Sequence, residues 1–287
     1  MLLAAVLILI ATGPARADAV PRITWMVNDY PPSNILSGPL AGKGFGDLTF
    51  RYFAERLPEF QHDISPASLQ TFHELARRRQ DGICQWSLLK TPERESHLIF
   101  SDPVYFIISN QVIVQQARQA LLAPFLNANG AVDVKALLAD TRLTVSVVRG
   151  RAYLPVIDQA LQATQGATHI QISTHDLAPL KQVAAGWVDY TFGYPFEVLW
   201  NAREQGQNWA FAYFPVASEA IYRLAYFGCS KGPLSEQLIT RINTLITAAG
   251  PRPPWLAYYL EWLDEAARAR FEQEFAAHNP WRAAAQP

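Results

Sequence analysis

The chain has 287 residues, 50% of them hydrophobic and 17% charged, with 24 basic against 25 acidic side chains. A chain of this length buries about three-quarters of the surface its unfolded form exposes, which excludes intrinsic disorder and a stapled mini-protein and leaves one large domain or two ordinary ones. The formal net charge of −1 supplies no field to hold nucleic acid or an anionic membrane, so those partners have no compositional support.

The first segment is an apolar run over residues 2–12, too short to span a bilayer, followed by Gly13-Pro14 and the small-x-small pattern Ala15-Arg16-Ala17. Residues 1–17 therefore read as a cleavable signal peptide, although the basic stretch that usually opens one is missing; the alternative is a buried N-terminal helix. The mature chain is then expected in an oxidising, extracytoplasmic space. The two cysteines, Cys84 and Cys229, lie in strand-like segments. They allow either one disulfide, closing a loop of about 145 residues, or two separate buried thiols. The six histidines show neither HExxH spacing nor a CxxC partner, so no metal site and no cofactor are expected.

Along the chain the pattern alternates between strand and helix. Residues 23–28 form a strand that runs into Pro31-Pro32. Apolar positions Phe45, Leu48, Tyr52, Phe53 and Leu57 recur at helical spacing up to Pro58, and a second helix over 68–79 leads into a strand over 82–89. Strands at 143–148, 169–172 and 187–193 alternate with helices at 153–163, 176–185 and 195–204, the middle one starting at His175-Asp176. Strands joined by helices imply right-handed βαβ units and mostly parallel sheets, hence an α/β protein. Two long β-rich stretches, 104–116 and 210–228, read as crossings between lobes, after which an apolar stripe (Leu234, Leu238, Ile242, Leu245, Ile246) marks a helix over 233–248. A proline brake at 251–254 precedes a C-terminal helical extension docked on the first lobe. The expected organisation is lobe 1 over 18–113 and 218–287, lobe 2 over 114–217, with two hinge strands and a cleft between them.

These pieces resemble the type II periplasmic solute-binding proteins, family 3, typified by the amino-acid-binding components of ABC importers. The resemblance rests on Asn28-Asp29-Tyr30-Pro31-Pro32, on Gly44-Phe45-Gly46-Asp47-Leu48 opening a helix, and above all on Thr91-Pro92-Glu93-Arg94 followed by Phe100-Ser101-Asp102-Pro103. It continues through 143–150 and 185–193 and covers essentially the whole mature chain.

The Thr91 block has a physical reading of its own. Pro92 holds Thr91 out of the helical region, so Thr91 N-caps a short helix with Pro92 in its first position. The guanidinium of Arg94 beside that helix start suits a carboxylate; the alternative is a structural ion pair at the surface or hinge. The resemblance implies that Arg94 clamps a ligand's carboxylate and that Tyr30 and Trp86 are stacking aromatics. The rest of the pocket departs from the amino-acid pattern. Leu89 replaces a hydroxyl residue, Arg149 and Arg151 flank Gly150 where a Gly-Thr or Gly-Ser is usual, and Tyr194 stands where an acidic residue binds the ammonium group, with Glu197 three residues on. A site that loses an ammonium counter-charge and gains cations disfavours zwitterions, because a buried unpaired charge costs several kcal/mol. The ligand is therefore expected to be more anionic, or larger and more aromatic, than a simple amino acid.

Candidate ligand-binding residues are thus Tyr30, Trp86, Arg94, Arg149, Arg151, Tyr194 and Glu197. No GxSxG, HExxH, phosphate-cradling loop or dinucleotide fingerprint appears, so binding without catalysis is expected. The expected protein is a monomeric, periplasmic binding protein that closes over a small carboxylate-bearing solute for an inner-membrane permease complex. The alternative is a binding-like accessory or sensor protein of a periplasmic complex.

Overall fold

A computed structural model describes residues 20–282 apart from 79, 150, 152, 175–177, 205 and 207–208. The signal-peptide segment and the helix start at His175-Asp176 lie outside the described residues.

The first sheet begins with β1 (Arg22–Val27), whose inward residues Ile23, Trp25 and Val27 are fully or nearly fully buried. It continues through α1 (Phe45–Ala54), β2 (Gln61–Pro66), α2 (Leu69–Arg77) and β3 (Ile83–Leu88). After α3 (Pro92–Glu95) come β4 (Leu98–Phe100) and β5 (Tyr105–Ile108). The chain then enters a second sheet at β6 (Gln111–Gln115), followed by a 3-10 helical segment (Gln116–Phe125), α4 (Val134–Ala139), β7 (Val145–Val148), α5 (Pro155–Ala163) and β8 (Ile170–Ser173). This half ends with α6 (Ala178–Ala184), β9 (Tyr190–Gly193), α7 (Pro195–Glu204) and β10 (Phe211–Phe214). The return strand β11 (Tyr222–Ser230) leads to α8 (Pro233–Ala248), α9 (Leu256–Leu260) and α10 (Glu265–His278).

The order of the first sheet is β2-β1-β3-β11-β4, with β5 also on β11; that of the second is β10-β6-β9-β7-β8. Parallel pairing occurs where a helix connects the strands: β1 with β2 and β3, β7 with β8 and β9. The strands that pass between the sheets pair antiparallel: β11 with β3, β4 and β5, and β6 with β9 and β10. Both long β-rich stretches of the sequence are therefore each two strands in two different sheets. The first breaks at Ser109-Asn110, the second over residues 215–221.

Several elements escape periodicity for physical reasons. β2, Gln61–Pro66, is a polar edge strand whose only large apolar residue, Ile64, is 55% exposed, so no alternation marks it. β4 is three residues long and is recruited by β11.

Cys84 and Cys229 face each other across the antiparallel β3–β11 pair and form a disulfide, with both residues fully buried. The loop they close contains every strand of the second sheet. The C-terminal helices dock on the first lobe, as the apolar pattern implies: Trp255 Nε1 donates to Val104 O at 2.7 Å, and Phe271 and Phe275 meet Phe106 edge-on. They also reach the second lobe. Trp262 packs on Trp200 of α7 (5.6 Å between centroids), and Tyr213 of β10 donates to the Asp264 carboxylate at 2.8 Å.

Candidate functional site

A cavity of about 580 Å³ lies where the two sheets approach each other, and Tyr30, Trp86, Arg94, Arg149, Arg151 and Tyr194 all line it. Glu197, the seventh candidate, sits directly behind, with its side chain 2% exposed and bonded to three of these neighbours.

Tyr30 is positioned by a tight turn in which the Asn34 amide donates to Tyr30 O at 2.9 Å. That turn rests on the N-terminus of α1. Asp47, third in the helix, accepts from the backbone N–H groups of Gly44 (3.0 Å) and Ile35 (2.9 Å), stitching loop to helix. Gly46 is glycine because the two segments touch: a Cβ there would lie 2.7 Å from Ser33 Oγ and 2.9 Å from Ser33 O.

Arg94 is held as the Thr91 block predicts. The Thr91 hydroxyl accepts from Arg94 N (3.3 Å) and Pro92 takes the first helical position. The guanidinium turns back to donate to Leu89 O at 2.8 Å, bracing the end of β3 and leaving its other donors toward the cavity. Burial lowers its pKa from the ordinary arginine range, yet it stays a cation at neutral pH.

β3 supplies the opposite wall through an irregularity. Tyr226 pairs with Leu88 but Gly228 pairs with Gln85, so β3 carries an extra residue, and Ser87 takes a φ of +63°. Such a bulge bends the strand and re-aims its side chains. Here it puts Gln85, Trp86, Ser87, Leu88 and Leu89 all on the cavity, which strict alternation would forbid. Trp86 contributes little free face: it is 2% exposed, stacked on Phe50 at 4.4 Å, and donates to Asn34 Oδ1 at 2.6 Å.

The second lobe brings a buried ion pair. Arg151 Nη2 lies 2.7 Å from Glu197 Oε1, with side chains 11% and 2% exposed. Tyr30, from the first lobe, donates to the same oxygen at 2.9 Å, and Tyr194 N donates to Oε2 at 2.9 Å. Burial disfavours the Arg151 charge, but Glu197 and the surrounding hydroxyls outweigh it and hold the guanidinium's pKa above its ordinary range. Burial, then the adjacent carboxylate, pushes the Tyr30 hydroxyl well up, so it is a donor throughout the working pH range. Gly193 makes room for this cluster, since a Cβ there would stand 2.9 Å from Glu197 Oε2. Arg149, by contrast, is exposed, and its side chain has no hydrogen-bond or ion-pair partner among the described residues.

Sequence reasoning missed Phe45, Phe196, Gln85 and Ser87 as wall residues. Phe196 stacks on Tyr194 at 4.9 Å and meets Phe45 edge-on at 5.4 Å, a cross-lobe aromatic contact. Its position two residues beyond Tyr194 was the available signal. The bulge that turns Gln85 and Ser87 inward has none, because it depends on the return strand β11.

Two α/β lobes, two crossings and a cleft lined from both sides define the type II periplasmic-binding-protein-like fold, and this chain has it. No family model and no curated protein sequence matches the chain. Among solved structures it is similar to an ancestral cationic amino acid solute-binding protein (TM-score 0.60, 16% identity, 85% of this chain and 95% of that one). It is also similar to a probable amino-acid ABC transporter extracellular-binding protein from Bacillus subtilis (TM-score 0.59, 15% identity, 86% and 100%). A histidine kinase sensor domain with similarity to periplasmic binding proteins aligns comparably (TM-score 0.59, 15% identity, 85% and 96%). At these identities the likeness establishes the fold.

Proposed function

We propose that the chain is an extracytoplasmic solute-binding protein that closes over a small carboxylate-bearing ligand and presents it to an ABC-type importer, without chemistry of its own. The observation that carries this reading is the convergence of Arg94 from one lobe and Arg149 from the other on a single cavity with aromatic and aliphatic walls. With Arg151 neutralised by Glu197, those two guanidiniums are the cations left to meet an anion. Tyr30, Tyr194 and Trp86 complete the enclosure. The roles of the similar transport proteins support delivery to a permease. The buried Cys84–Cys229 bridge fits an oxidising, periplasmic location, and the protein is expected to act as a monomer. A second reading, a sensing or accessory role in a periplasmic complex, is favoured by the likeness to a kinase sensor domain.

A thermal-shift screen of dicarboxylates, aromatic acids and amino acids tests the site. A ligand at 100 times its Kd stabilises by about 2.7 kcal/mol, roughly 5 °C for a chain of this size. The shift should vanish in Arg94→Ala and shrink in Arg149→Ala. A ligand whose shift is untouched by both substitutions refutes the assignment.

A further inference from the structure

Two buried polar groups in the cavity wall play no part in this arrangement of charge. Gln85 is 3% exposed; its Nε2 donates to Asn28 Oδ1 at 2.9 Å, but its Oε1 meets no donor among the described residues. Tyr105, 2% exposed on β5, stands near the hydroxyls of Ser87 and Thr49 and forms a hydrogen bond of good geometry with neither. Both residues line the cavity. Buried polar atoms are nearly always paired, so a ligand group that reached these two would supply the partners they lack.

The charge state of what completes it follows from the neighbours. Gln85 Oε1 accepts but carries no formal charge, and burial keeps the Tyr105 phenol protonated. Glu197, behind the cavity wall, has Oε1 occupied by Tyr30 and Arg151 and Oε2 by Tyr194 N. Arg94 and Arg149 are both positive. An ammonium group would have to leave water for a cavity with surplus cations and no carboxylate among its lining residues, only neutral oxygens, which is unfavourable. A hydroxyl or amide N–H satisfies the Gln85 oxygen with no desolvated charge.

Resting on the reading of a carboxylate ligand, we propose that Gln85 and Tyr105 are specificity-determining residues that select an apolar carboxylate bearing an uncharged donor, a hydroxyl or amide N–H, over its ammonium-bearing analogue. Gln85 is the principal selector, because its bond to Asn28 fixes the amide so that the oxygen is left for the ligand. Tyr105 adds a second neutral partner from the adjoining strand.

The test is calorimetric titration of the full chain with matched series differing in one group: 3-phenylpropionate, 3-phenyllactate, 3-(4-hydroxyphenyl)propionate and phenylalanine, then 4-methylpentanoate, 2-hydroxy-4-methylpentanoate and leucine. In the native chain the best hydroxy acid should bind at least tenfold tighter than the matching amino acid and severalfold tighter than the acid without hydroxyl. Gln85→Leu should bring the hydroxylated and unhydroxylated acids to within about twofold of each other. Gln85→Glu, which places an unpaired carboxylate at the same point, should reverse the order of hydroxy and amino acid. Tyr105→Phe should weaken the hydroxy acid by a smaller factor.

Amino acids that bind the native chain as tightly as their hydroxy analogues overturn the proposal, as does a hydroxyl preference that survives Gln85→Leu in a variant with native circular dichroism. Failure of the underlying carboxylate reading has a different signature: no member of either series binds, or all bind equally to Arg94→Ala, and the proposal then falls with it.

Discussion

Replacing Glu197 with Ala is the most informative single perturbation of this molecule. The substitution removes the acceptor for the Tyr30 hydroxyl, the Arg151 guanidinium and the Tyr194 amide, at distances of 2.9, 2.7 and 2.9 Å. It leaves Arg151, whose side chain is 11% exposed, with no counter-ion among the described residues. Breaking one half of a buried pair costs about 3–5 kcal/mol, and the orphaned Tyr194 N–H adds about 1 kcal/mol. A loss of about 4–6 kcal/mol lowers Tm by roughly 7–10 °C for a chain of this length. Removing both charges, in Arg151→Met with Glu197→Leu, should cost far less, about 1–2 kcal/mol, because no buried charge is then left alone. The coupling between the two sites is accordingly about 2 kcal/mol or more. Urea unfolding followed by tryptophan fluorescence reads this directly, with circular dichroism as the second probe. A Glu197→Ala variant within about 1 kcal/mol of the native chain, or a double variant equal to the sum of the singles, would show that the pair is not the buried cluster described above.

Three further outcomes follow from the same geometry. Replacing Cys84 and Cys229 with Ala, or reducing them, releases a loop with a sequence separation of 145 and should cost up to about 5 kcal/mol; an unchanged urea midpoint would mean that the bridge does not constrain the unfolded chain. Gly46→Ala forces a Cβ against Ser33 and Asn34 and should cost about 2–3 kcal/mol while weakening any ligand through the displaced Tyr30 turn; a neutral effect in both melting and titration argues against that contact. The His73 pKa is pushed down to about 4, by burial first and then by Arg94, His97 and Arg77. Its neutral form is therefore favoured in the folded state, and stability is full above the ordinary histidine value of about 6.5. Stability then falls as the pH drops from about 6.5 towards 4, by on the order of 1–2 kcal/mol after allowance for partial solvent exposure. His73→Gln should flatten that slope in urea titrations taken across the window, and an unaltered slope would assign it to other groups.

How much of this was legible beforehand depended on whether the information was local. The Thr91-Pro92-Glu93-Arg94 block specifies its own cap and its own helix start, and the structure contains both. The ends of α7 and α8 coincide with the periodic segments at 195–204 and 233–248, since each opens on a proline and carries a buried face. Six of the seven candidate residues line one cavity, because their motifs fall at strand ends and helix starts on the cleft side. What could not be read were partnerships made at a distance. The pairing of Arg151 with Glu197 spans 46 positions and that of Tyr30 with Glu197 spans 167. The inward turn of Gln85 and Ser87 is dictated by a strand about 140 residues away. The departure from the resembled pattern at 149–151 singled out Arg149 and Arg151; only the fold shows that one of the two has its charge already answered.

The helices after residue 250 have a mechanical consequence. They are seated on the first lobe through Trp255 and Trp281, and gripped from the other side by Trp200, Tyr213 and the Arg203 contact with Glu261 O. Any swing of one half away from the other must peel these contacts apart, so the extension straps the two halves together. On the proposed function, the gape that would admit a solute would have to strain this tryptophan packing, which would limit its amplitude.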